Sequence, residues 1–267
     1  MSAHAYTDRM TAKDRDEIVG RRHVVEALTE SLRETPFIHA MWEGGAAAGG
    51  TLDEWSDIDL YVLVDDDKVE QAFSEVETAL SILSPISLKL PVPETGWPGV
   101  HQAFYKLADA SEYQVIDFAV VTRSAKEKFL EPRVHGEAVF YFNKVGEIEF
   151  EPFDESASTA AIRKRRKRLA DRLEIFGCFL QKEVNRGNQI EAVDLYHRLF
   201  LSTLIELLRM EYDPDHYSFG TRHVHTELPQ DIVERLERLS FVRDGNDLRK
   251  NHRETNEWIE ALLGRHE

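Results

Sequence analysis

Two aspartates stand two residues apart at the start of an apolar stretch: Asp57 and Asp59 within 56–64, SDIDLYVLV. Side chains alternate between the faces of a β-strand, so residues two apart point to the same face. Two carboxylates held this closely repel each other unless a cation lies between them, and Mg²⁺ favours such oxygen ligands. The spacing therefore predicts a metal site, although a solvated acidic strand end is the simpler alternative for an Asp-x-Asp alone.

A glycine-rich stretch, GGAAAGG, precedes these aspartates at positions 44–50. Glycine has no Cβ, so a Gly-Gly turn lets backbone N–H groups approach a phosphate closely. The turn and the aspartates together predict that phosphate donors and metal ligands converge on one spot.

The combination of this turn with SerAspIleAspLeu resembles the signature of the polymerase-β-like nucleotidyltransferases, in which Gly and then Gly or Ser precede Asp-x-Asp. The resemblance implies that Asp57 and Asp59 bind the Mg²⁺ ion that carries the triphosphate of ATP or another nucleoside triphosphate. It also implies that Gly44, Gly45 and Ser56 contact the nucleotide.

A third acid, Asp117, stands alone in the apolar stretch VIDFAV, about sixty residues further on. A buried acid needs a partner or a metal. The resemblance implies that Asp117 is the third metal ligand, which either completes a second metal site or takes the proton from the attacking hydroxyl. His101 and Tyr105, which alternate with Ala103 on a predicted strand, would line the cleft beside it; ordinary strand packing is the alternative.

The motif departs from the family pattern at two positions. Gly45 stands where many members have Ser, and Ala48 stands where relatives that modify small molecules often carry Arg or Lys. These departures imply that the triphosphate is bound through different contacts.

The periodicity of apolar residues predicts alternating helices and strands up to about residue 150, followed by long helical patterns from Ala160. The predicted elements of the first part are a helix over Asp14–Glu34, strands over 37–42 and 56–64, a helix over 69–83, and strands over 86–92, 100–107 and 113–121. We predict an α/β (α+β) nucleotidyltransferase domain with a mixed sheet over residues 1–150 and an all-α helical-bundle domain over residues 151–267.

This layout resembles the aminoglycoside and lincosamide nucleotidyltransferases, in which the acceptor lies between the two domains. Tyr196, His197 and Arg198 are then candidate contacts for the nucleotide or the acceptor, with helix packing as the alternative. The basic run 163–168 is interpreted as a mainly solvated helix face, because six successive residues circle a helix; binding of phosphate groups, and after it binding of nucleic acid, are the alternatives. Cys178 stands among apolar residues at helical spacing and is predicted to be buried.

Composition narrows the class of protein. The formal net charge of −16 disfavours nucleic acid as a partner and favours cationic small molecules. The sequence has no apolar stretch long enough to cross a membrane and no signal-peptide core, so we expect a cytoplasmic protein, as a monomer or homodimer. It also lacks the phosphate-binding GxxxxGK[ST] loop, the GxGxxG dinucleotide turn and the GxSxG nucleophile turn.

These observations predict an enzyme, a magnesium-dependent nucleotidyltransferase. It would transfer a nucleoside monophosphate, AMP from ATP in the first instance, to a hydroxyl of a small-molecule acceptor. An aminoglycoside- or lincosamide-like acceptor would make it an antibiotic-resistance enzyme. Two alternatives stay open: the same chemistry on tRNA or protein, as in toxin-type members, and a catalytically inactive nucleotide-binding scaffold.

Overall fold

The structure, a computed structural model, describes residues 19–264 of the 267-residue chain. The chain divides into two compact units, of which the first ends at Phe153 and the second begins at Asp154. The predicted first helix begins, in the described part, at Arg21, and residues 14–18 lie outside that part. None of the helices in residues 19–264 is both long and apolar enough to span a membrane.

A mixed sheet of six strands, counted over residues 19–153, forms the centre of the first unit. The strands are β1 (Ile38–Glu43), β2 (Ile58–Val64), β3 (Ile86–Val92), β4 (Val100–Leu107), β5 (Ile116–Thr122) and β6 (Val139–Asn143). Their order across the sheet is β3-β4-β5-β2-β1-β6. Strands β2 and β5 run parallel, and the other neighbouring pairs are antiparallel. The predicted mixed α/β fold class is confirmed.

Four helices accompany the sheet in the described part of this unit: α1 (Arg21–Arg33), α2 (Gly45–Ala48), α3 (Val69–Leu83) and α4 (Pro132–His135). In α1 the buried residues Val24, Val25, Leu28 and Leu32 form one stripe, because residues three to four apart share a helix face. Helices α1 and α3 contact each other and pack on one face of the sheet. We name this face of the sheet the helix face.

The alternation of side chains along β2 decides where the aspartates point. Ile58, Leu60 and Val62 join the core between the sheet and the helices. Leu63 and the half-buried Tyr61 instead belong to a smaller core on the opposite face, which is covered by residues that follow β5. Asp59 therefore shares this second face, away from α1 and α3.

The second unit contains helices and no strand in residues 154–264. These are α5 (Glu155–Phe176), α6 (Cys178–Arg186), α7 (Gln189–Leu195), a π-helical turn (Tyr196–Leu201), α8 (Ser202–Tyr212), a 3₁₀ turn (Pro214–His216), α9 (Val224–Glu227), α10 (Gln230–Ser240) and α11 (Gly245–Gly264). A core rich in leucine joins them. The predicted all-helical region is confirmed.

The prediction for Cys178 is wrong, because its side chain is exposed. Its apolar neighbours Ile175, Phe176 and Phe179 are exposed as well, whereas Leu180 is buried. The apolar residues here circle the helix axis, and only the side that carries Leu169 and Leu180 faces the core.

Candidate active site

The structure brings the three predicted carboxylates together at the N-terminal ends of the two central strands, β2 and β5. Asp59 and Asp117 are each the second residue of their strand, and they are register partners in the parallel pair β2–β5. Neighbouring strands lie about 4.8 Å apart, and register partners point to the same face. Asp57 stands directly before β2, and its charge raises the pKa of both other aspartates.

The electrostatics of this cluster are unfavourable for three ionised groups. The pKa of Asp59 is raised from 3.8 to about 6, mainly by burial. The charges of Asp117, Asp57 and Glu43 raise it as well, in that order. Arg21 acts the other way and lowers it. Carboxylates crowded in this manner gain from a nearby cation, because a positive charge favours their ionised form.

Gln102 on β4 holds the third carboxylate. Its side-chain amide donates to both oxygens of Asp117, at 2.6 and 2.8 Å. Burial raises the pKa of Asp117, and these hydrogen bonds to the ionised form lower it. Gln102 therefore orients Asp117 and favours its charged form, a role that sequence reasoning missed.

The structure corrects the prediction that His101 and Tyr105 lie beside Asp117. In the antiparallel pair β4–β5, Phe104 is the register partner of Asp117, so the even-numbered residues of β4 share its face. Tyr105 instead lies buried in the core on the helix face, where its hydroxyl donates to Glu77 over 3.1 Å. His101 and Tyr105 do share one face of β4, as predicted, but it is the face opposite to the one that carries Asp117.

The glycine turn approaches Asp59 closely. The amide of Gly44 donates to the carbonyl of Asp59 over 3.0 Å and so extends the strand pairing. Gly45 has a φ of +51°, and a Cβ added there would lie 1.9 Å from Oδ2 of Asp59. No larger residue fits this position without displacing the carboxylate. The next amides, of Gly45, Ala46 and Ala47, begin α2, where an α-helix leaves its first N–H groups without intrahelical partners.

Ser56 closes the turn that leads into the aspartates. Its hydroxyl donates to Oδ1 of Asp53 over 2.8 Å and accepts from the Asp53 amide over 3.0 Å. The same Asp53 oxygen accepts from the amide of Trp55. In this structure the Ser56 hydroxyl therefore holds the loop before Asp57.

A fourth carboxylate, Glu43 at the end of β1, lies near the cluster and is only 1% exposed. The guanidinium of Arg21 and the hydroxyl of Tyr141 each donate to one of its oxygens. Arg21 also donates to the backbone carbonyl of Asp57 over 3.3 Å. Glu43 is ion-paired with Arg21 and anchors this cation beside the cluster. An acid that ends a buried run and directly precedes Gly44 is the sequence signal that could have revealed it.

The donor set fits magnesium. Asp57, Asp59 and Asp117 offer only oxygen atoms, from one face and one edge of the sheet, and a hard divalent cation that keeps some of its waters takes one or two such carboxylates. Burial, followed by the charges of Asp117 and Asp57, raises the pKa of Asp59, and a cation at this place would favour its ionised form. Softer metals, which select thiolate or imidazole, find neither ligand in this set.

The candidates in the second unit are engaged in packing. Tyr196 is fully buried, and its hydroxyl bonds to the carbonyl of Leu239 at 2.9 Å and to Thr255 at 3.1 Å. His197 bonds to the carbonyl of Ser240, and Arg198 forms an ion pair with Asp194 at 2.8 Å.

Three of the six residues in the basic run 163–168 are paired within its unit. Arg165 makes a bidentate contact with Glu206, at 2.6 and 2.9 Å. Arg166 donates to a backbone carbonyl of α11, and Lys167 pairs with Asp171 one turn along its own helix. These contacts favour a structural and solvated role for the run.

A second group of possible metal ligands already has its cation. Oxygen and nitrogen atoms of Asp213, His216 and Glu227 lie within 4.8 Å of one another. The buried guanidinium of Arg209 donates to both carboxylates, at 2.8 and 2.7 Å, and also to the carbonyl of Gly220. Arg209 thus balances these charges and ties the segment after α8 to the core of the unit.

Comparisons with known proteins add a resemblance in fold. No protein-family model and no curated protein matches the sequence, whereas seven chains of known structure match. One is an aminoglycoside 6-adenyltransferase from Bacillus subtilis, with 12% identity, 92% of this chain and 90% of that chain covered, and a TM-score of 0.37. Another is a spectinomycin adenyltransferase from Enterococcus faecialis, solved with ATP and spectinomycin, with 13% identity, coverage of 92% and 99%, and a TM-score of 0.31. Both are nucleotidyltransferases, the family that the motif resembles. At these identities and TM-scores the likeness carries no information about the substrate or activity of this chain.

Proposed function

We propose that this protein is a magnesium-dependent nucleotidyltransferase that transfers AMP from ATP to a hydroxyl group of a small-molecule acceptor. The observation that carries the proposal is the register pairing of Asp59 with Asp117, which adds a third carboxylate to the Asp57–Asp59 pair beside the glycine turn. The resemblance of the turn and the Asp-x-Asp motif to the polymerase-β-like enzymes supplies the reaction class.

Each site residue has a role in this reaction. Asp57 and Asp59 would hold the Mg²⁺ ions, which neutralise charge on the triphosphate and on the leaving pyrophosphate. Gly45 leaves room for the Asp59 carboxylate. The first amides of α2 would donate to phosphate oxygens. Gln102 would hold Asp117 in its ionised form and in a fixed orientation.

The bond changes follow in-line displacement at the α-phosphorus. The acceptor hydroxyl oxygen bonds to the α-phosphorus as the bond to the β-phosphate oxygen breaks, and pyrophosphate leaves. The hydroxyl proton goes to a base. Asp117 either accepts this proton or completes the second metal site, and both roles need the carboxylate that Gln102 holds.

The two alternatives receive less support from the described residues. A tRNA or protein target would require a continuous free basic surface, and three of the six residues of the run 163–168 are paired inside the second unit. An inactive scaffold would have no use for three clustered carboxylates, where burial and the charges of Asp117 and Asp57 raise the pKa of Asp59. An aminoglycoside- or lincosamide-like acceptor stays the leading candidate class.

Calorimetric titration of MgATP into the wild-type protein and into Asp57→Ala/Asp59→Ala tests the proposal. We expect binding to the wild type that requires Mg²⁺ and is lost in the double variant. The matched control is Asp67→Ala/Glu70→Ala, which removes the same charge from exposed positions of the same unit. Equal binding by the wild type and the Asp57/Asp59 variant, or no binding of any of the four nucleoside triphosphates by the wild type, would refute the proposal. Release of pyrophosphate on addition of an acceptor then tests the transfer itself.

A further inference from the structure

Two aromatic rings project into solvent as a pair in the first unit. The rings of Trp55 and Tyr113 lie 5.2 Å apart between centroids, at an interplanar angle of 83°. Trp55 is 61% exposed and Tyr113 is 59% exposed. Large aromatic side chains lose much favourable burial when they stay in solvent, and paired exposed rings are typical of ligand-binding surfaces.

The two rings are held in place by the turns that carry them. The Asp53 carboxylate accepts from the amide of Trp55 over 3.0 Å and from the Ser56 hydroxyl. In the other turn, the hydroxyl of Ser111 accepts from the amide of Tyr113. A surface that is already ordered loses less conformational entropy when a ligand binds.

The position of the pair relative to the carboxylates follows from the sheet. Trp55 stands two residues before Asp57, and Tyr113 stands four residues before Asp117. Strands β2 and β5 are parallel neighbours, so the turns that carry Trp55 and Tyr113 both lie at the N-terminal end of this pair. The three carboxylates lie at the same end. The amide of Ile58 donates to the carbonyl of Val115 over 3.0 Å, which extends the pairing toward the rings.

The charges around the rings select the kind of ligand. Asp53, Glu54 and Glu112 are all exposed and flank the two rings in sequence. Lys106 donates to the backbone carbonyl of Glu112 over 2.7 Å and closes that turn. An electron-rich ring face attracts organic cations, and carboxylates beside it add to this attraction. A neutral or anionic ring system gains only the stacking.

We infer that Trp55 and Tyr113 form the acceptor subsite of this enzyme and that this ring pair selects a cationic acceptor over a neutral one with the same skeleton. The pair would bind the cationic part of the acceptor and present one of the acceptor's hydroxyls to the α-phosphorus at the neighbouring carboxylates. The inference rests on the proposed function for the role of the ligand as acceptor, and it assigns the residues that select the acceptor.

The test is calorimetric titration of the full chain with neamine, a hydroxylated tetra-amine, and with tetra-N-acetylneamine, which has the same skeleton without the charges. We expect the wild type to bind neamine at least tenfold more tightly than the acetylated form. Trp55→Ala and Tyr113→Ala should each weaken neamine binding roughly five- to tenfold, the range of an exposed cation–π contact with some desolvation. Trp97→Ala, which removes another exposed tryptophan of the same unit, should stay within twofold of the wild type.

A parallel titration with MgATP separates this inference from the proposed function. Metal-dependent MgATP binding together with equal neamine binding by the wild type, Trp55→Ala and Tyr113→Ala would overturn the subsite and leave the proposed function intact. A loss of MgATP affinity in the ring variants, with neamine affinity unchanged, would overturn it as well, because the rings would then stack on the nucleobase. No neamine binding by the wild type, or equal binding of the acetylated form, would overturn the cationic acceptor. Absence of MgATP binding in the wild type would refute the proposed function and, with it, the acceptor role.

Discussion

Asp59→Asn should increase the free energy of unfolding of the metal-free protein at pH 8. The pKa of Asp59 rises from 3.8 to about 6 in the folded protein. A tenfold change in proton affinity corresponds to about 1.4 kcal/mol, so ionisation of Asp59 costs the fold about 3 kcal/mol. This is an upper value, because the side chain is partly exposed and solvent screens part of the interaction. Asparagine keeps the shape of the side chain and removes the charge.

The sign of the pH dependence follows from the direction in which the pKa of Asp59 moves on folding. A carboxyl with a higher pKa in the folded state binds its proton more tightly there, so its contribution to stability is lost as the pH rises through about 6. The advantage of Asp59→Asn should therefore be full at pH 8 and fall to roughly 0.5 kcal/mol at pH 4. Saturating Mg²⁺ should reduce the difference in free energy of unfolding between Asp59→Asn and the wild type at pH 8. An ion that binds only the folded wild type stabilises it.

Urea denaturation at both pH values in EDTA, repeated with MgCl₂, measures these differences. Asp67→Asn, at an exposed position of the same unit, is the control and should change stability little. An equal gain for Asp59→Asn at pH 8 and pH 4 would contradict the reasoning, because it would show that the charge of Asp59 is not the cause. A loss of stability at pH 8 without metal would contradict it more directly.

Three further substitutions test the supporting contacts. Gly45→Ala should weaken MgATP binding at least tenfold in calorimetry, because its Cβ would collide with Asp59, whereas Gly50→Ala, also at positive φ but with open space around it, should not. Gln102→Leu should lower the affinity for Mg²⁺ by about tenfold in the same assay, the usual effect of removing a partner that orients a ligand. Arg209→Leu should destabilise the second unit by about 3–5 kcal/mol in urea denaturation, since it leaves two carboxylates without their buried cation; a loss below about 1 kcal/mol would contradict that role.

Elements with a clear apolar period were predictable from the sequence. Helix α3 and strands β3 and β4 have the bounds that their patterns predict. Strand β6 was missed because it is a short edge strand that pairs only with β1, and its first two residues, Val139 and Phe140, stay exposed. Of this strand only Phe142 is buried, so its sequence shows no alternation of apolar and polar residues.

Individual site residues were predictable to a different extent. The grouping of Asp57, Asp59 and Asp117 at one end of the sheet was predictable, because acidic residues contrast with the apolar strands around them. Gln102 was missed, because both faces of β4 carry polar residues. Only the pairing with β5 decides which of these faces lies beside the carboxylate.

The pairing of β2 with β5 also has a consequence for folding. Asp59 and Asp117 meet in a single alignment of two strands that are distant in sequence. A shift of one residue would turn Asp117 toward the helix face and place a lone carboxylate among the apolar side chains of α1 and α3. A misaligned chain would thus lose both the grouping of the three carboxylates and much of its stability. The time at which a refolding chain first becomes stabilised by Mg²⁺ would therefore report when these two strands reach their correct alignment.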